Sequence, residues 1–143
     1  MTDHPDNGEL VELEEDESWA LVRSRKVGRF AANRPGLSPL VVPVNYVVAD
    51  GEIVFRSGAG TKLSSTSLGL VAIQVDDIDP NRHVGWSVQV EGLASWLYEE
   101  QDDTTVETWA PGERPYVIRL RPTRITGRRI RFEQPDTDGR GYR

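Results

Sequence analysis

Leu40-Val41-Val42-Pro43-Val44-Asn45-Tyr46-Val47-Val48-Ala49-Asp50-Gly51-Glu52-Ile53-Val54-Phe55-Arg56-Ser57 is the stretch on which the fold turns. Val, Ile and aromatic residues crowd it, the composition that suits a pleated, half-buried surface. Asp50-Gly51 interrupts it with a two-residue turn in which both residues must take positive φ, a demand that Asp-Gly meets. Residues 40–49 and 52–57 therefore read as the two antiparallel strands of one hairpin. Upstream, residues 27–33 read as a short strand stopped by Arg34-Pro35-Gly36. Glu14, Glu15, Asp16 and Glu17 precede Trp19, Leu21 and Val22. Acids favour the positive end of a helix, so residues 15–24 read as one.

Downstream, Gly58-Ala59-Gly60 breaks the hairpin, and residues 61–68 read as a short helix with Leu63 and Leu68 as core candidates. Residues 70–78 form the next strand, with Val71, Ile73 and Val75 on one face and Ala72, Gln74 and Asp76 on the other. Asp79-Pro80-Asn81 is a turn. In residues 85–99, Trp86, Val88, Val90, Gly92, Ala94, Trp96 and Tyr98 share a face; in residues 115–130, Tyr116, Ile118 and Leu120 point inward. Strands outnumber helices and several are hairpin-linked, so the chain is expected to be mainly β, an antiparallel barrel or sandwich with accessory helices. Residues 9–133 are read as one domain between flexible polar tails, 1–8 and 134–143. A lipocalin-like binder, an oligosaccharide or oligonucleotide barrel and a flavin barrel all fit this pattern.

Charge and composition narrow the function. The chain has 143 residues, 17 Lys+Arg against 23 Asp+Glu, and a net charge of -6. That balance disfavours nucleic acid, whose phosphates need a basic surface, and an anionic membrane. With no Cys, disulfides, thiolate metal sites and cysteine nucleophiles are excluded. His4 and His83 are too few for a His-based zinc centre, and no metal is expected. There is neither a bilayer-length apolar segment nor a signal-peptide pattern, which suggests a cytoplasmic protein. Ser64-Ser65 lacks a His partner, which removes serine hydrolysis. Asp76, Asp77 and Asp79 read as a solvated turn. Glu99, Glu100, Asp102 and Asp103 read as an exposed loop. The arginines from Arg119 to Arg131 read as ion-pair partners of the amino-terminal acids or as an anion site.

One junction suggests a ligand. Phe55-Arg56-Ser57-Gly58-Ala59-Gly60-Thr61-Lys62 runs from strand end to helix start, bringing Arg56, Ser57, Thr61 and Lys62 near helix-start amides. Such amides favour an anion; Arg adds a planar fork and Lys a point charge, together suited to a phosphomonoester. A capped hairpin end explains the same residues without a ligand.

The chain from Trp19 to Ile130 resembles the pyridoxamine 5'-phosphate oxidase-like flavin-binding split-barrel family, in its branch of short flavin-nucleotide-binding proteins. The resemblance lies in Val27-Gly28-Arg29-Phe30-Ala31, Val41-Val42-Pro43-Val44-Asn45-Tyr46, Ile53-Val54-Phe55-Arg56-Ser57, Gly60-Thr61-Lys62-Leu63, Val71-Ala72-Ile73-Gln74-Val75-Asp76 and Gly85-Trp86-Ser87-Val88-Gln89-Val90-Glu91-Gly92. It implies a six-stranded antiparallel split β-barrel with short accessory helices, a homodimer, and FMN at the subunit interface. By the same resemblance, Val42, Pro43, Val44 and Asn45 face the isoalloxazine edge, largely through backbone groups. Phe55, Arg56 and Ser57 run beside the ribityl chain and phosphate, and Thr61 and Lys62 grip the phosphate. Gln74 lies near the ring, while Trp86 and Ser87 close the site from the partner subunit. No catalytic side chain is singled out.

The vitamin-forming oxidase of that family carries a substrate-binding Arg and His near its carboxy terminus; here no His follows residues 116–122. The expected function is an FMN-dependent oxidoreductase using a small-molecule electron donor or acceptor, distinct from that oxidase. A reductase using the deazaflavin coenzyme and a non-catalytic flavin carrier are the alternatives.

Overall fold

A computed structural model describes residues 8–58 and 69–132. The elements are β1 (Gly8–Leu13), α1 (Glu15–Arg23), β2 (Val27–Ala32), β3 (Leu40–Ala49), β4 (Glu52–Ser57), β5 (Leu70–Asp79), β6 (Val84–Tyr98) and β7 (Tyr116–Phe132). The strands lie in the order β1-β7-β4-β3-β2-β5-β6, and β6 returns to pair with β7. Strands β2 to β7 thus close into a six-stranded antiparallel barrel, and β1 lies alongside β7. The short helix expected over residues 61–68 lies outside the described residues.

The β3–β4 hairpin closes as its sequence requires, with φ of 56° at Asp50 and 74° at Gly51. Strand alternation then sorts the side chains. Phe30, Tyr46, Ile53, Phe55, Ile73, Val75, Val88, Val90, Ile118 and Leu120 fill the barrel. Phe30 and Phe55 meet at 4.9 Å between ring centroids, a tilted aromatic contact. Helix α1 carries Glu15, Asp16 and Glu17 in its first turn and buries Val22 against the core. The Tyr46 hydroxyl donates to the Val22 carbonyl, satisfying an acceptor in the helix's last turn. Burial pushes the Tyr46 pKa up to about 12, opposed by the charge of Arg25. Ser18 packs on Gly127, where a Cβ would overlap the Ser18 Oγ. That buried hydroxyl has no hydrogen-bond partner among the described residues.

Three features depart from the sequence reading. Strand β1 was not expected, because Leu10 faces solvent and no alternation marks the segment; its edge pairing with β7, Leu10 opposite Ile130, forms it. Asp76 and Asp77 belong to β5, as the strand reading of residues 70–78 has it, and not to a solvated turn: Arg29 reaches Asp76 at 3.1 Å and Arg25 reaches Asp77 at 2.6 Å. Asp79 alone does turn work, accepting from the backbone N–H groups of Asn81 and Arg82. Asp102 is not exposed; its carboxylate is only 7% accessible. It accepts from Arg119 Nε at 2.7 Å and from the Thr104 hydroxyl at 2.7 Å. Arg119 also holds Glu52 at 3.0 Å. The Arg119 hydrogen bonds keep the Asp102 carboxyl well below the usual carboxylate range, although burial pulls the other way.

This cluster straps residues 99–115 to the outside of the barrel. Val106 covers Val54 and Val117 there, with Val47 and Ala49 packed beside them. Ile53, Val54 and Phe55 are consequently all buried, since β4 has the core on one face and this strap on the other. The carboxy-terminal arginines do pair with amino-terminal acids, Arg129 with Glu17 at 3.1 Å and Arg131 with Glu9 at 3.3 Å.

Candidate functional site

Directly opposed residues in a sheet point to the same side, so the register defines what each face presents. On the outside, Pro43 stands opposite Arg29, Arg29 opposite Gln74, Gln74 opposite Gln89, and Gln89 opposite Thr126. One row thus crosses five strands, from Pro43 on β3 to polar side chains on β2, β5, β6 and β7. The next row is small where it crosses β2 and β5, with Ala31 opposite both Val41 and Ala72. On the other side of the polar row, Asp76 stands opposite Ser87. The result is a shelf: a floor of Ala31, Ala72 and Pro43 beside hydrogen-bonding groups from Arg29, Gln74, Gln89 and Ser87. Gly28 brings β2 and β5 together, because a Cβ there would press on the Gln74 carbonyl and the Ile73 side chain.

The expected site residues divide according to strand face. Pro43, Gln74 and Ser87 lie on the shelf or its edge. The side chains of Val42 and Val44 pack against the core, which leaves their backbone for any outward contact. Asn45 faces outward, but its Oδ1 accepts the Trp109 backbone N–H at 2.8 Å and so anchors the strap. Phe55 is a core residue with no ligand-accessible ring. Arg56 and Ser57 fall on opposite faces of β4. Ser57 stands opposite Tyr116 and is buried. Arg56 donates from Nε to the Arg114 carbonyl at 2.9 Å and pairs with Glu99. Trp86 is buried, its ring beneath the Arg25 guanidinium at 5.2 Å. Thr61 and Lys62 lie outside the described residues.

Arg29 and Gln89 are the shelf residues that sequence reading did not single out. Strand alternation marks both as outward-facing, but only the pairing of β2 with β5, far apart in the chain, sets Arg29 against Gln74. A separate open hollow of about 600 Å³ beside α1 is lined by Trp19, Asp50, Arg121 and Arg124 among others, and contains none of the expected residues. No cluster of metal-ligating side chains occurs among the described residues. No helix among them is long and apolar enough to cross a membrane.

Comparison with known proteins fits this architecture. The family model of pyridoxamine 5'-phosphate oxidase matches residues 14–129, and the chain belongs to that family. It is 35% identical over 132 residues to an uncharacterised protein of Mycobacterium tuberculosis, covering 85% of this chain and 86% of the relative. Among solved structures, the FAD binding protein of Mycobacterium smegmatis superposes with a TM-score of 0.66 at 31% identity, over 86% of this chain and 100% of that one. A FAD-binding protein of Mesorhizobium loti gives a TM-score of 0.68 over 87% of this chain and 99% of that one; at 21% identity it supports the fold alone.

Proposed function

We propose that this protein binds a flavin nucleotide, FMN in the first instance, along the outer shelf of β2, β3, β5 and β6 and serves as a flavin-dependent oxidoreductase. The single observation that carries the reading is the in-register row Pro43, Arg29, Gln74, Gln89 beside Ala31 and Ala72, in a chain of this family. The polar edge of an isoalloxazine offers both hydrogen-bond donors and acceptors. Gln74 and Gln89 carry both in one amide group, and Arg29 adds donors. The small side chains leave room for a planar ring to lie against the sheet. The donor set and the floor therefore fit the group.

A bound flavin supplies two-electron chemistry; the chain supplies binding, orientation and electrostatics. Gln74 and Gln89 hold the polar edge of the ring, and the backbone of residues 42–45 borders it. Thr61 and Lys62 are assigned to the phosphate, to which Arg56 at the outward end of β4 adds a guanidinium. Because Arg56 already pairs with Glu99, its contact with a phosphate requires an exchange of partners. A second copy of the chain closes the shelf, with the outward Ser87 at the join and the buried Trp86 beneath it. The outward Val41, Leu70 and Leu93 suit such an interface.

Flavin titration by fluorescence quenching tests the reading, with FMN, FAD and riboflavin side by side. A charge-assisted hydrogen bond contributes roughly 1.5–3 kcal/mol, so Lys62→Ala should weaken FMN binding by about ten- to a hundredfold and Arg56→Ala by less. Riboflavin, without a phosphate, should be indifferent to both changes. Wild-type protein that perturbs no flavin spectrum would overturn the proposal. Turnover with reduced nicotinamide separates an enzyme from a carrier. A blue-shifted single band on the purified protein would favour the deazaflavin coenzyme. Pyridoxamine phosphate should produce no hydrogen peroxide.

A further inference from the structure

We infer that Arg29 and Asp76 form a charge pair that sets the reduction potential of the ring bound on the shelf; this rests on the flavin reading above. Arg29 stands second in the row, flanked in register by Pro43 and Gln74. Its side chain is 54% exposed, whereas that of Asp76 is 21% exposed, so the cation stands proud and the carboxylate is tucked behind it. One contact joins them, Arg29 Nη1 to Asp76 Oδ2 at 3.1 Å. A guanidinium has five N–H donors, and among the described residues Asp76 takes only one of those on Arg29. The neighbouring arginine behaves differently: Arg25 is taken up by Asp77 at 2.6 Å and by the Trp86 ring. The adjacent outward positions on β2 and β5, Ala31 and Ala72, carry only methyl groups, which leaves room for a planar group beside Arg29.

Electrostatics then fix the sign of the effect. Hydride transfer to an oxidised flavin breaks a C–H bond of the donor and forms an N–H bond on the ring. Two electrons and one proton enter, the donor is oxidised by two electrons, and the ring gains one negative charge. A fixed cation at the ring favours that reduced form over the neutral oxidised form. The carboxylate behind the cation offsets part of its charge. Arg29 is thus a positioning and tuning residue, and Asp76 limits its strength.

The test is the midpoint potential of bound flavin, measured anaerobically against a reference dye with dithionite as reductant, on full-length wild type, Arg29→Gln, Asp76→Asn and the double variant. Arg29→Gln should lower the ratio of reduced to oxidised affinity about tenfold, a fall of about 30 mV for a two-electron couple. Asp76→Asn should move the potential upward, and the double variant should lie between the two. Riboflavin should show the same pattern as FMN, because the pair faces the ring and not the phosphate. Both side chains are at the surface and the replacements nearly conserve shape; circular dichroism checks folding. A merely structural pair would weaken both redox states alike and leave the potential in place. That result, or shifts of equal sign in the two single variants, overturns the inference while leaving flavin binding standing. Failure of the wild type to bind any flavin overturns both.

Discussion

Replacing Asp102 with Asn should detach the strap formed by residues 99–115, and the structure sets the size of the loss. The carboxylate accepts from Arg119 Nε at 2.7 Å, from the Thr104 N–H at 3.1 Å and from the Thr104 hydroxyl at 2.7 Å. A hydrogen bond to a charged group contributes roughly 1.5–3 kcal/mol, and removing one member of a buried pair roughly 3–5 kcal/mol. Arg119 keeps Glu52 and the Thr104 hydroxyl, which lowers the loss to about 2–3 kcal/mol. In a chain of this size that corresponds to a fall in Tm on the order of 10 °C. The pH dependence carries the sharper signature. The Asp102 pKa is depressed on folding, so its stabilisation is fully present above the ordinary value of 3.8 and is lost as pH falls toward the folded value. Urea unfolding of wild type and Asp102→Asn, followed by tryptophan fluorescence, should give the same difference at pH 7 and pH 5. By pH 3 the difference should have shrunk by about 1 kcal/mol. Equal stability at pH 7, or a difference that grows on acidification, would refute the reasoning.

Other expectations rest on single contacts. Tyr46→Phe should cost about 1 kcal/mol at neutral pH by removing the hydroxyl's hydrogen bond to the Val22 carbonyl, which keeps only the Arg25 N–H at 3.4 Å. Because burial raises the Tyr46 pKa to about 12, that difference should be constant below pH 10 and narrow above it, as chemical denaturation across pH 8–11 would reveal. Ser18→Ala should raise stability by up to about 1 kcal/mol in thermal melts, since it removes a buried hydroxyl that has no partner among the described residues and improves helix propensity. Gly92→Ala should destabilise by about 2 kcal/mol or more: it sits opposite the β7 bulge at Thr123, where a Cβ would strike the Arg121 backbone and the Leu120 side chain.

Local chemistry made most of the barrel legible. Asp50-Gly51 announces its hairpin, Val71, Ile73 and Val75 announce an inward face, and the acids ahead of Trp19 announce α1. Hidden from the sequence were features made by partners distant along the chain. β1 shows no buried stripe because it is held by edge pairing with β7. Asp102 resembles its solvated neighbours until Arg119, on the far side of the loop, folds beneath it. At the candidate site, alternation separates Arg56 from Ser57 and turns Phe55 inward. The junction residues looked adjacent in sequence, yet the sheet sends them in different directions. Arg29 acquires its setting only through a register that no local pattern encodes.

Strand β7 has a consequence for how the molecule comes into being. It pairs with β1, β4 and β6, so three earlier segments wait for the last strand before any of them is complete. A ribosome adding roughly 5–20 residues per second exposes β1 through β6 for several seconds before residues 116–132 emerge from its tunnel. During that interval β4 and β6 each offer an unpaired edge, the surface on which nascent chains stick to one another. Barrel closure is then a late, long-range event, the kind that sets a slow folding rate. For this protein the interval between synthesis and closure is the period of greatest exposure, when a chaperone covering the β4 and β6 edges would matter most.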